Sequence, residues 1–67
     1  MITIKFNGLQ EEVGHNPSLL QLIESKEINP KTVALVLNEQ VVPRSRWAQI
    51  ECQDSDKIDI FSAVAGG

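Results

Sequence analysis

The chain opens with a stretch in which apolar and polar residues alternate. Residues 2–6 have a period of two, which predicts a strand with one buried face. Asn7 and Gly8 follow, and because both residue types tolerate positive φ they predict a tight hairpin turn. Residues 9–13 then form the returning strand. Their polar composition suits a position at the edge of a sheet.

The apolar spacing changes to that of a helix after this hairpin. Ser18 and Gln21 have the spacing of a capping box, so Ser18 is the expected start. Asn16 with Pro17 as the first helical residue is an alternative start. We expect the helix to close at residues 28–30. The apolar residues on its buried face are Leu19, Leu22 and Ile23.

Short β-rich segments fill the rest of the chain. Residues 33–37 are an apolar run, and residues 40–42 can pair with them as a short strand. Residues 44–48 suggest a helical turn, and residues 53–56 a reverse turn. Residues 57–61 alternate again and predict the last strand.

This order of elements predicts an α+β fold, in which one main helix crosses one face of a mixed sheet of four to five strands. The first and last long strands carry the cleanest alternation, so we expect them to be central neighbours. They should run parallel because a helical crossover lies between them. Residues 1–61 would form this β-grasp domain, and residues 62–67 a flexible C-terminal tail ending in Gly-Gly.

Composition narrows the functional classes. The 67 residues are 42% hydrophobic and 22% charged, which fits one small domain without room for a large enzyme cleft. The net charge of −3 argues against nucleic acid, because phosphate contacts need a basic surface. Residues 33–37 are the longest apolar run, against about 20 residues needed to span a bilayer. Without a signal-peptide pattern either, we expect a cytoplasmic protein with no membrane partner.

Few side chains offer catalytic or metal-binding chemistry. Cys52 is the one cysteine and is expected to be a small, partly buried hydrophobe rather than a reactive thiol. His15 has no companion at ligand spacing and should lie on the surface. Asp54, Asp56 and Asp59 are close in sequence, but we expect them to form a solvated edge. We therefore predict no catalytic side chain and no metal site.

Small uncharged residues at the end of the chain suggest a chemical role for the terminal carboxylate. An enzyme can activate a carboxylate by letting it attack the α-phosphate of ATP, which leaves a mixed anhydride with AMP. The reacting carboxylate must then reach a buried nucleotide site. Ala65, Gly66 and Gly67 make a narrow tail that could do so, since glycine has no Cβ. Positioning of the Gly67 carboxylate would be what this chain contributes to the reaction.

Two segments resemble a known family. Residues 38–47 contain an Asn, then Val-Pro-Arg, then a Trp after two intervening residues, and residues 61–67 end in Val-Ala-Gly-Gly. Both are similar to segments of the ThiS family, the ubiquitin-like β-grasp sulfur carriers of bacterial thiamine biosynthesis. Within the first segment, Trp47 is expected to be a packing anchor. Arg44 is expected to tether a turn, with contact to a partner as the alternative.

The resemblance implies a mechanism and a set of partners. An E1-like adenylating enzyme of the ThiF type would activate the Gly67 carboxylate, using ATP and Mg²⁺ held in its own site. A cysteine-desulfurase persulfide would then supply sulfur and leave a thiocarboxylate. A thiazole synthase of the ThiG type would take that sulfur into the thiazole ring of thiamine. The chain itself would be a co-substrate that binds no cofactor.

The apolar residues next to the tail are candidates for partner binding. If the alternate apolar residues of the last strand face the helix, Phe61 points to the outer face of the sheet. Val36 should point the same way. With Ala63 and Val64 they would form an exposed patch that docks the adenylating enzyme. The alternative is that Phe61 folds beneath a neighbouring loop.

Three other functions remain open at this point. The same tail chemistry could serve molybdopterin synthesis, although the Val-Pro-Arg-x-x-Trp pattern favours the thiamine branch. A ubiquitin-like modifier would instead join Gly67 to a target lysine by an isopeptide bond. An interaction domain would have a chemically inert tail, and its function would survive extension of the chain beyond Gly67.

Overall fold

A computed structural model gives the fold of residues 1–62, the part of the chain that the structure describes. In this part, a helix packs against one face of a five-stranded sheet. The elements are β1 (Ile2–Phe6), β2 (Leu9–Val13), α1 (Leu19–Ser25), β3 (Val33–Leu37), β4 (Gln40–Val42) and β5 (Lys57–Ser62), with 3-10 helices at Pro30–Thr32 and Arg44–Gln49.

The sheet has the strand order β2-β1-β5-β3-β4. The central strands β1 and β5 run parallel, and the other neighbours are antiparallel. The parallel central pair follows from the crossover through α1, as expected. The prediction of an α+β, β-grasp arrangement with a mixed sheet is confirmed.

Local sequence signals set the hairpins and the helix start. Asn7 and Gly8 have φ of 51° and 84°, the conformation of a two-residue hairpin turn that matches strand twist. Asn38 and Glu39, which join β3 to β4, also have positive φ. Ser18 is the residue that caps α1. It forms both hydrogen bonds of the capping box with Gln21, so the alternative start at Asn16 is wrong.

The core lies between α1 and the inner face of the sheet. Trp47 closes one end of it, with 1% of its surface exposed, and its indole Nε1 donates to the Val42 carbonyl oxygen at 2.8 Å. The predicted role of Trp47 as a packing anchor is confirmed. The buried hydrophobic residues are Ile4, Phe6, Leu19, Leu22, Ile23, Leu35, Trp47, Cys52 and Ile58.

The last strand is one residue longer than predicted. Ser62, predicted to begin the tail, is the final residue of β5 and pairs with Val33 of β3. The strand continues because its partner β3 has a residue available at this register. Residues 63–67, the remainder of the predicted tail, lie outside the described residues.

Candidate functional site

An exposed apolar patch lies on the outer face of the sheet, opposite the helix. We define the outer patch as Ala34, Val36, Val41 and Phe61. Cross-strand pairing brings them together, because Phe61 pairs with Ala34 and Val36 pairs with Val41. Phe61 is 57% exposed and Val41 is 74% exposed. Apolar surface grouped in this way is typical of a protein contact.

The outer patch agrees only in part with its prediction. Phe61 faces outward as expected, so the alternative in which it folds beneath a loop is wrong. Val36 shares its face but is only partly exposed, because it lies between neighbours on β4 and β5. Val41 was not predicted. Its signal was the alternation with Val42, which is too short in a three-residue strand to assign a face.

Charged side chains of both signs lie next to the outer patch on the same face, because Asp59 of β5 pairs with Val36. Lys5 and Lys57 occupy paired positions on β1 and β5, and both side chains are exposed. In residues 1–62 neither forms an ion pair, since the ion pair found there joins Lys26 to Glu11 at 2.6 Å. Like charges at paired positions disfavour the sheet slightly.

A buried carboxylate fixes the start of β5. Asp56 accepts from the Asn38 side-chain amide at 3.0 Å and from the Gln53 backbone N–H at 2.8 Å. The Asn38 side-chain oxygen accepts from the Lys57 N–H at 2.9 Å. The prediction that Asp56 lies on a solvated edge is wrong. Asp56 is buried because the β3–β4 turn and the turn before β5 meet over it.

The end of β5 pairs with a neighbouring strand on one side only. All of its residues from Ile58 to Ser62 pair with β3, whereas pairing with β1 stops at Ile58. Beyond that point the Ile60 N–H donates to the Asn7 side-chain oxygen at 2.8 Å. The strand therefore emerges past the Asn7-Gly8 turn with the Phe61 side chain exposed on its outer face.

Cys52 and His15 lie where the sequence predicts. The Cys52 side chain is fully buried, and burial together with the nearby Asp56 carboxylate raises the pKa of the thiol to about 11. A thiol that stays protonated is a poor nucleophile. His15 is exposed in the loop before α1. Residues 1–62 contain no group of three His, Cys, Asp or Glu residues that could hold a metal ion.

Arg44 is exposed at the start of the second 3-10 helix. Within the described part of the chain its guanidinium forms no hydrogen bond and no ion pair, so these residues do not support the predicted tether of a turn. No helix of residues 1–62 is both long enough and apolar enough to cross a membrane. The predicted site residues that lie outside the described residues are Ala63, Val64, Ala65, Gly66 and Gly67.

Comparison with a solved structure supports the fold. The crystal structure of the thiamine biosynthesis protein ThiS from Geobacter metallireducens matches with a TM-score of 0.86. The match covers 98% of this chain and 100% of that protein, at 19% sequence identity. The two chains therefore share the ubiquitin-like β-grasp fold.

Sequence comparison identifies the family. The sulfur carrier protein ThiS of Escherichia coli (strain K12) is 36% identical over 64 residues, which is 96% of this chain and 97% of that relative. A thiazole synthase of Paramagnetospirillum magneticum is 28% identical over 61 residues, or 91% of this chain but only 19% of that much longer protein. The model of the ThiS family matches residues 4–67. The chain belongs to the ThiS family.

Proposed function

We propose that this chain is the sulfur carrier for the thiazole ring of thiamine, with Gly67 as the residue that carries sulfur. The main structural support for the proposal comes from the exposed end of β5. Its outer face presents an exposed apolar side chain, Phe61, two positions before the segment that leads to Gly67. Membership of the ThiS family and similarity to the Escherichia coli sulfur carrier support the same function.

In the proposed reaction the chain supplies the reacting carboxylate. An oxygen of Gly67 attacks the α-phosphate of ATP, which forms an acyl adenylate and releases pyrophosphate. The terminal sulfur of a persulfide then attacks the Gly67 carbonyl carbon, and AMP leaves. A thiol then attacks the sulfur of the former persulfide carrier and forms a disulfide with it, so that the S–S bond breaks and one sulfur stays on Gly67 as a thiocarboxylate. The persulfide originates from a cysteine desulfurase.

The partners provide the catalytic groups. The adenylating enzyme, of the ThiF type, would hold ATP and Mg²⁺ and stabilise the charge that develops on the phosphate. The chain would be a co-substrate, and its contribution would be to place the carboxylate. Because the reaction consumes ATP, we propose that it takes place in the cytoplasm.

A thiazole synthase of the ThiG type is the proposed acceptor of the sulfur. A segment similar to this chain occupies about a fifth of the length of the Paramagnetospirillum magneticum thiazole synthase. Carrier-like and synthase sequences joined in one polypeptide act at a high effective concentration, which suits consecutive steps of one reaction. That similarity supports the thiazole branch over molybdopterin synthesis.

The outer patch is the proposed docking surface for the adenylating enzyme. Phe61 would contact the enzyme directly, with Val36, Ala63 and Val64 beside it, as the sequence predicts. Val41 extends the surface across the neighbouring strand. Burial of a large aromatic side chain at the centre of such a contact commonly provides much of the binding free energy.

Mass spectrometry tests the carrier chemistry directly. The chain is incubated with a ThiF-type enzyme, ATP and a sulfur source, and its intact mass is measured. We expect a gain equal to the exchange of one oxygen for sulfur, located at Gly67. A variant with one additional residue after Gly67 should gain none. Conjugates of higher mass would instead indicate a protein modifier, and function that survives the extension would indicate an inert tail.

Replacement of Phe61 tests the docking surface. Phe61→Asp places a charge at the centre of the outer patch, so we expect the adenylation rate at limiting enzyme to fall at least about tenfold. Leu9→Asp is the matched control, because Leu9 is also an exposed apolar residue but lies on β2, away from the outer patch. An unchanged rate for Phe61→Asp with an intact fold would reject this surface.

A further inference from the structure

The end of β5 has an open backbone edge that the outer patch does not include. In the pairing of β3 with β5, the odd-numbered residues of β5 direct their backbone groups toward β3, as the bond from the Asn38 N–H to the Lys57 oxygen shows. The even-numbered residues point the other way, toward β1. At Ile58 this side is occupied, because the Asn7 N–H donates to the Ile58 oxygen at 2.9 Å.

Past the Asn7-Gly8 turn, no strand within residues 1–62 pairs with this side of β5. The Ile60 N–H is satisfied by the Asn7 side chain. The Ile60 carbonyl and the N–H and carbonyl of Ser62 have no hydrogen-bonding partner within residues 1–62. One donor and two acceptors therefore stand in a row on a strand that is already extended and held by β3.

This edge lacks the protection that the lateral edges of the sheet carry. The edge strand β2 has three consecutive polar residues at 10–12, two of them glutamates. The opposite edge strand, β4, has only three residues and is followed by Pro43. Short length, charge and proline are the usual devices against pairing with another chain. Phe61 and Ser62 carry neither charge nor proline.

We propose that the Ile60–Ser62 edge pairs with an extended segment of the adenylating enzyme, which adds a strand to the sheet beside β5. This inference rests on the proposed function and adds to it a second mode of recognition. Backbone hydrogen bonds would hold the chain in the extended direction that leads to Gly67, while the outer patch supplies apolar contact on the sheet face.

An enzyme segment fits this edge better than the chain's own tail. To cover the Ile60 and Ser62 groups itself, the chain would need a tight turn at Ala63 and Val64, and a β-branched residue is poorly suited to the positive φ of such a turn. Carrier function also needs residues 63–67 to lead away from the domain. Pairing with a partner satisfies both requirements.

Ser62→Pro tests the added strand. Proline removes the Ser62 N–H and fixes a φ compatible with an extended chain. It spares the pairing with β3, because the Ser62 backbone groups point away from that strand. Ser62→Ala is the matched control, since it removes the hydroxyl but keeps the N–H. We expect Ser62→Pro to weaken binding to a ThiF-type enzyme about tenfold, the equivalent of one hydrogen bond, and Ser62→Ala to change it less than about twofold.

Amide hydrogen exchange provides an independent readout. The Ser62 amide should exchange rapidly in the free chain and slowly in the complex, while the Leu35 amide stays protected in both and reports an intact fold. Equal binding by Ser62→Pro and wild type, or a Ser62 amide already protected in the free chain, would overturn the proposal. If the wild-type chain forms a thiocarboxylate in either case, the carrier function stands and only the added strand is rejected.

Discussion

The two ends of β5 differ in how the fold holds them. At the start, Ile58 is fully buried beneath α1, has strands on both sides and follows the Asp56 hydrogen-bond cluster. At the end, Phe61 is 57% exposed and the strand pairs on one side only. We call the start of β5, at Ile58 and the Asp56 cluster, the rigid base, and its last residues, Ile60 to Ser62, the open end. One strand joins the two. A carrier needs this combination, because a fixed domain must present a segment that other proteins can reach.

The register between the central strands causes the difference. β1 and β5 are parallel, and they pair only at Lys5–Lys57 and Phe6–Ile58, the end of one strand and the start of the other. β1 then turns away at Asn7, so β5 continues alone on that side. On its other side, β5 pairs with β3 from Ile58 to Ser62.

Truncation at the rigid base should have the largest effect. Ile58→Ala removes a fully buried side chain from the core, and we expect the free energy of unfolding to fall by about 3 kcal/mol. For a domain of this size that is a large share of a total of about 3 to 10 kcal/mol. Urea denaturation followed by Trp47 fluorescence measures it. A loss as small as that of an exposed residue would contradict the contrast between the two ends.

The buried Cys52 thiol, near the start of β5, should react much more slowly than an exposed thiol. Because the pKa of Cys52 is raised from 9.0 to about 11, the folded chain at pH 8 holds about 100-fold less thiolate than the unfolded chain, and iodoacetamide should alkylate it at least that much more slowly. The rate in native buffer is compared with the rate in urea.

The same shift has a consequence for stability. The thiol of the unfolded chain loses its proton at lower pH than that of the folded chain, so ionisation favours unfolding. The contribution of Cys52 to stability is fully present below pH 9 and is lost as the pH rises toward about 11.

The alkylation experiment has a clear contrary outcome. If iodoacetamide reacts equally fast with the native and the unfolded chain at pH 8, the fold around the start of β5 does not shield Cys52.

Loss of the buried carboxylate should cost less than loss of the core side chain. Asp56→Ala leaves the Gln53 N–H and the Asn38 amide without their acceptor, and we expect a fall of about 2 kcal/mol in the free energy of unfolding. Asp59→Ala is the control, because Asp59 lies on the outer face and none of the described side-chain hydrogen bonds uses its carboxylate. Equal losses for the two variants would show that the Asp56 cluster does not fix the base.

The sequence predicts the features of the rigid base only where they depend on residues close together in the chain. Alternation over residues 57–61 predicts one buried face for this strand, and Ile58 lies on that face. Asp56 was assigned wrongly, since its acceptor role depends on Asn38, which is 18 residues away in the chain. The Ser18 cap was found because both of its partners lie within one helical turn.

The sequence predicts less of the structure at the open end. The outward direction of Phe61 followed from alternation. The exposed edge at Ile60 and Ser62 did not, because it depends on the register of the parallel pair, which no local pattern sets. Val41 was missed because β4 has only three residues, too few for alternation to assign a face to it.

Truncation at the open end should have the smallest effect on stability and separates the two ends most sharply. Phe61→Ala removes a side chain that is mostly in water already, so we expect the free energy of unfolding to change by less than about 0.5 kcal/mol. Binding to the adenylating enzyme should nevertheless weaken, since the proposed docking would bury the same side chain. Urea denaturation and titration calorimetry on one preparation give both values. If Phe61→Ala destabilised the domain as much as Ile58→Ala, the end of β5 would be part of the rigid core, and the distinction between a structural base and a recognition end would fail.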